Sequence, residues 1–127
     1  MSSETMRVAR DGFAAWRRGD FEAIEAILDP GVEWRWFEPG EWDCHGRAEV
    51  MGVVRERYEQ GFATGELEFV DGGPDAIVVV AHPADVGGEG WPRETATVLT
   101  FRDRAVIRMQ DHRTRADALA SCGRPPS

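Results

Sequence analysis

The sequence predicts an α+β protein: a curved, mostly antiparallel β-sheet wrapped by three helices from the N-terminal half, together a cone-shaped α+β barrel. Three observations lead there. Apolar residues recur at steps of three and four through residues 4–28 and again through 47–60, the period of an amphipathic helix. From residue 66 onward the period falls to two, that of a strand with unlike faces. The helical stretches come early and the strands follow in succession, which places helices on one face of an antiparallel sheet. A chain of 127 residues has room for one hydrophobic core, so residues 1–127 are expected to form one domain.

In the first helix Met6, Ala9, Phe13 and Trp16 share a face, and Gly19 ends it. Asp20 is placed to cap a second helix with Phe21, Ile24, Ile27 and Leu28 on its apolar side. Asp29-Pro30-Gly31 is expected to stop that helix. Residues 32–37, VEWRWF, are β-branched and aromatic, hence a strand. Its alternation sets Val32, Trp34 and Trp36 against Glu33, Arg35 and Phe37. Pro39 and Gly40 break it, and the stretch up to Gly46 is expected to be a loop at the mouth of the cone. A third helix then carries Val50, Val53, Val54, Arg57 and Tyr58 at helical spacing. Strands are expected over 66–70, 76–82, 93–101 and 105–112, with a glycine-rich loop or hairpin tip at 83–92 and a short helix over 115–121.

A net charge of −8 argues against a general affinity for nucleic acid, which needs cations to displace phosphate counterions. All fifteen basic residues are arginine. The absence of lysine excludes Schiff-base chemistry, pyridoxal phosphate attachment and a P-loop lysine. Cys44 and Cys122 form no CxxC motif and are expected to be free thiols. No apolar run is long enough to span a bilayer, and MSSETMRVARDG lacks the apolar centre of a signal peptide. The expected location is cytoplasmic.

Three stretches, AAWRRGDFEAIEAILDPGVEW, HGRAEV and LTFRDRAVIRMQDHRTRADAL, occur in an order that resembles the nuclear transport factor 2-like superfamily, in its SnoaL-like (polyketide cyclase-like) branch. The resemblance covers nearly the whole chain. It implies a cone-shaped pocket, and members that range from ketosteroid isomerases, cyclases, epoxide hydrolases and dehydratases to non-catalytic binding modules. It also implies a homodimer paired through the outer face of the sheet, for which Thr95, Thr97, Leu99 and Arg108 are the candidate residues. The steroid isomerase pattern is missing: its tyrosine position falls near Gly12 and its base position near Trp36. The limonene epoxide hydrolase pattern also fails, because Arg93 is followed two residues later by Thr95 and not by an acid. SnoaL-like cyclases are implied to use an acidic base late in the last strand.

Asp111 answers that description. Period two places it with Ile107 and Met109 on the more apolar strand face, where desolvation would raise its pKa and suit it to general base work. The alternative is a strand-end aspartate paired with one of the arginines. His112, His45 and Asp43 are candidates for an acid or orienting role. The three histidines, His45, His82 and His112, come from separate elements without ligand spacing, so no metal is expected. Tyr58 offers its hydroxyl to a substrate, or is a core ring with the hydroxyl at the rim. Phe13, Trp16, Trp34 and Trp36 would supply pocket wall as well as core, and Trp42 would meet a ligand from the loop. Arg35, alternating away from the tryptophans, would face either the pocket or a partner subunit.

The expected function is that of a small-molecule pocket protein. It would be a cofactor-independent acid/base enzyme, of cyclase or isomerase type, acting on a hydrophobic cyclic compound. The alternative is a non-catalytic binding or association module with the same cone.

Overall fold

The structure is a computed structural model that describes residues 2–36, 40, 43–61, 66–82 and 94–123. The helices are α1 (Ser2–Arg17), α2 (Phe21–Ile27), α3 (Arg47–Glu59) and α4 (Arg115–Ser121). The strands are β1 (Leu28–Arg35), β2 (Cys44–His45), β3 (Glu66–Gly73), β4 (Ala76–His82), β5 (Thr95–Arg102) and β6 (Ala105–His112). They form one curved sheet in the order β2-β1-β6-β5-β4-β3, with β1 parallel to β6 and the other pairs antiparallel. Strands β2 and β3 lie at opposite ends and do not pair, so the expected barrel is an open cone. No helix among the described residues is long and apolar enough to cross a membrane.

The turn between α1 and α2 follows from local chemistry. Gly19 adopts φ +73°, the left-handed conformation that favours glycine just past a helix end. The Gly19 N–H donates to the Trp16 carbonyl at 3.0 Å and the Asp20 N–H to the Ala15 carbonyl at 2.8 Å, which satisfies the last turn of α1. Asp20 then caps α2, its carboxylate accepting from the Ala23 N–H at 3.2 Å. A methyl group on Gly19 would lie 3.0 Å from the Tyr58 hydroxyl, so α3 closes directly over this turn.

Two expectations about β1 are corrected. Leu28 is already extended, with ψ 129°, and the strand begins there and not at Val32. Asp29-Pro30-Gly31 does not separate helix from strand. It is a bulge inside β1, where the pairing with β6 jumps from Leu28↔Val106 to Glu33↔Arg108. The Asp29 carboxylate accepts from the Gly31 N–H at 2.9 Å and supplies the turn the bulge needs.

Strand β6 carries a second bulge. Its pairing with β5 shifts between Thr100↔Arg108 and Phe101↔Val106, so Ile107 is the extra residue. Unbroken alternation would keep Ile107 on the inner face with Met109 and Asp111 and put Val106 on the outer one. The bulge returns it to the inner face with Met109 and Asp111, and all three line the interior of the cone.

Both faces of the sheet are covered. The inner face packs Ile77, Val79, Leu99 and Phe101 against α1, α2 and α3, and the outer face packs Val78, Val80, Ala96 and Val98 against Ala118 and Leu119 of α4. Burial on both sides explains why β4 reads as a continuous apolar run and not as an alternation. Three of the four residues expected on the outer, pairing face are not on it. Thr95, Thr97 and Leu99 line the interior, and only Arg108 of the four points outward and is exposed. The expected loop over 83–92 and Arg93 at the expected strand start lie outside the described residues.

Leu119 is 3% exposed, and removing its side chain leaves a void between α4 and the sheet. Leu119→Ala is expected to lower stability by about 2–4 kcal/mol in urea unfolding. A loss below about 1 kcal/mol would mean that α4 does not hold the outer face.

Candidate functional site

The interior of the cone is a cavity of about 140 Å³. Its helical wall includes Phe13, Trp16, Ile24 and Val54, and its strand wall includes Trp34, Trp36, Leu99 and Met109. Phe13 meets Trp16 edge to face at 6.0 Å, and the Trp16 indole N–H donates to the Val54 carbonyl at 3.0 Å, tying α1 to α3. Both residues expected from the first helix therefore lie in the wall. Gly12 lies there too. A methyl group on it would approach Ile27 Cδ1 to 2.6 Å, so the end of the Ile27 side chain would have to shift to admit one.

Asp111 stands on the inner face of β6 and is 5% exposed. Its Oδ1 accepts two hydrogen bonds, one from Trp34 Nε1 at 2.9 Å and one from the Thr97 hydroxyl at 2.7 Å. Register explains both partners: Thr97 is directly opposite Asp111 on β5, and Trp34 is on the neighbouring β1. Burial pushes the carboxyl pKa above its ordinary value, and it outweighs the opposing pull of those two bonds, Arg57 and His112. With Oδ1 held, Oδ2 is the oxygen left to meet a ligand.

Arg57 is the residue whose place in the site the sequence reading missed. It extends the apolar stripe Val50, Val53, Val54 of α3 by one more turn, and an arginine in such a stripe is the signal that could have found it. Its guanidinium carbon lies 5.3 Å from the Trp34 ring centroid and 5.3 Å from that of Trp36. Burial lowers its pKa, while Asp111 and Glu56 oppose that. The group stays cationic because the ordinary value lies so far above neutrality.

The other expected residues lie elsewhere. Cys44 and His45 form β2 instead of a loop, and pairing with β1 turns His45 to the outer side with Glu33, whose Oε2 is 3.4 Å from His45 Nδ1. Arg35 is on that same side and also contacts Glu33, at 3.6 Å. Asp43 accepts from the Trp36 N–H at 2.9 Å, so it positions the end of β1 and does not enter the cavity. His112 sits opposite Ala96 on the outer face, where burial lowers its pKa and its Nε2 has no hydrogen-bond partner among the described residues. Tyr58 packs edge to face on Phe21 at 5.4 Å, over the α1–α2 turn and outside the cavity lining. Trp42 lies outside the described residues. Among those residues no three His, Cys, Asp or Glu side chains are grouped to hold a metal ion.

A small open cone of helices over a curved sheet, with one buried acid on its inner wall, defines the class. The chain belongs to the SnoaL-like domain family, whose model matches residues 9–114. No curated protein matches it. Among solved structures, a Kribbella flavida protein provisionally named a ketosteroid isomerase is similar at 20% identity and TM-score 0.69, over 87% of this chain and 78% of its own. TerC, crystallised with polyporic acid, is similar at 19% identity and TM-score 0.60, over 85% of this chain and 89% of its own. A de novo designed protein with a curved β-sheet reaches TM-score 0.71 at 15% identity, over 97% of both chains. At these identities the similarity shows the fold alone, and function has to be argued from the site.

The raised pKa of Asp111 has a sign that can be tested. The folded state holds this proton to higher pH than the unfolded chain, so stability falls as pH rises above the ordinary 3.8 toward the raised value. Asp111→Asn has no such proton to lose. Wild type is expected to lose stability relative to Asp111→Asn as pH is raised from acid to neutral in urea unfolding. A difference that is flat or of opposite sign would contradict the burial effect.

Proposed function

We propose that this protein is an acid/base enzyme that moves a proton on a small hydrophobic ring compound, with Asp111 as the proton carrier and no cofactor. The observation that carries this reading is a carboxyl group with a raised pKa on the wall of an apolar cavity, held through one oxygen only. A base whose pKa is lifted toward the working pH is more effective in proton transfer. In the ionised form Oδ2 takes a proton from the carbon between the carbonyl and a C=C bond of an unsaturated ring ketone: the C–H bond breaks, its electron pair forms a new C=C bond and the carbonyl π pair moves onto oxygen. In the neutral form Oδ2 returns the proton to the far carbon of that dienolate, the C=O bond re-forms, and the double bond has moved by one position, which completes an isomerisation.

Size narrows the substrate. A cavity of about 140 Å³ is close to the roughly 150 Å³ that holds benzene in an engineered protein core. That fits one ring and not a fused steroid, in line with the missing steroid isomerase pattern at Gly12 and Trp36. The isomerase name of the Kribbella flavida neighbour and the polyporic acid bound to TerC support proton transfer and small organic ligands as uses of such a cone. One observation favours the second reading, a binding module without turnover: among the described lining residues no other carboxyl or imidazole accompanies Asp111.

Deuterium exchange at the α-carbons of cyclohexanone and cyclohex-2-enone, followed by NMR in heavy water, separates the two. The enzyme reading expects exchange above buffer that drops by about a hundredfold to ten-thousandfold in Asp111→Asn. Ring ketones that quench tryptophan fluorescence without exchanging would favour the binding module, and exchange untouched in Asp111→Asn would remove Asp111 from the mechanism.

A further inference from the structure

Proton transfer by Asp111 leaves the cavity's cation unused. Among the described lining residues Arg57 and Asp111 are the only ionisable groups, and Thr95 and Thr97 are the only other polar side chains apart from the indoles of Trp16, Trp34 and Trp36. Arginine is rare in an apolar wall because its charge must be compensated there. Here the guanidinium carbon lies 5.3 Å from the ring centroids of both Trp34 and Trp36, two cation–π contacts that favour a fixed orientation. A guanidinium has five N–H donors, so it can keep a protein partner and still offer a pair to a ligand oxygen.

Trp34 touches both ionisable groups. Its ring face carries Arg57 and its N–H edge donates to Asp111 Oδ1, so acid and cation both adjoin one indole. A ligand in the cavity can meet both, with an oxygen on the guanidinium and a carbon near Asp111 Oδ2. Arg57 rewards negative charge on that oxygen, and the apolar walls reward a ring behind it.

We propose that the cavity selects a single-ring ligand bearing one anionic oxygen group, a ring carboxylate or an acidic ring enol, with that group seated on Arg57. The inference rests on the proton-transfer reading for the place of the reacting carbon, and on Arg57 for the anion. It makes Arg57 the specificity-determining residue of the site.

Titration calorimetry on the full chain at neutral pH and low salt tests it with matched probes. Benzoate is compared with benzamide, and 1,3-cyclohexanedione, an acidic enol, with cyclohexanone. At least one anion should bind about tenfold or more tightly than its neutral match, and which one does identifies the oxygen group. Arg57→Met should bring that anion to within about twofold of its match and shift the neutral probes by less than about threefold. Anions and neutral probes that bind alike to wild type would overturn the assignment of Arg57 while leaving Asp111 chemistry standing. A preference that survives in Arg57→Met would also overturn it, and failure of every probe would overturn both readings. The wild-type comparison decides even if the variant does not fold.

Discussion

The site depends on what the two edges of Trp34 touch. The indole N–H reaches Asp111 Oδ1 at 2.9 Å, and the ring face lies 5.3 Å from the Arg57 guanidinium carbon. A carboxylate in direct contact with a guanidinium would be held ionised, with its pKa driven down. Here burial outweighs the pull of Arg57, so the acid keeps a raised pKa beside a permanent cation. Trp34 contacts both groups, the acid through its N–H and the cation through its ring face. It also ties the strand that carries the acid to the helix that carries the cation.

Much of the surrounding fold serves to hold that indole in place. The bulge at Asp29-Pro30-Gly31 sets the register that brings Trp34 level with Met109 and Arg35 level with Gln110 on β6. Asp43 pins the Trp36 N–H and Gln110 donates to the Trp36 carbonyl at 3.1 Å, so the backbone just past β1 is fixed on both sides. The Trp16 indole bonded to Val54 fixes α3, and with it Arg57, against α1. These contacts lie on four elements far apart in sequence, which is why the site belongs to the fold and not to any one motif.

The inner faces of α1 and β1 were legible from periodicity: Phe13 with Trp16 and Trp34 with Trp36 stand where a count of three, four or two puts them. Asp111 was legible for the same reason, since no bulge intervenes between it and Met109. Periodicity failed where a residue is inserted. Ile107 breaks the alternation in β6 and brings Val106 to the inner face, and nothing in its side chain announces a bulge. Tertiary pairing decided His45 and His112. The first is turned outward because β2 adds to β1, and the second falls on the outer face that α4 covers. Arg57 was visible as part of a helical stripe, but a cation in that stripe acquires meaning only once Trp34 and Trp36 are seen beside it.

The central claim is that burial outweighs the hydrogen bonds from Trp34 and Thr97 and leaves the Asp111 carboxyl with a raised pKa. It is tested most directly by following the carboxyl carbon of Asp111 by carbon-13 NMR across pH, in wild type and in Trp34→Phe. The phenyl ring keeps a face for Arg57 and removes the N–H, so the account predicts a midpoint above the ordinary 3.8 in wild type and higher still in the variant. A wild-type midpoint at or below the ordinary value, or a variant midpoint that moves down, would contradict it.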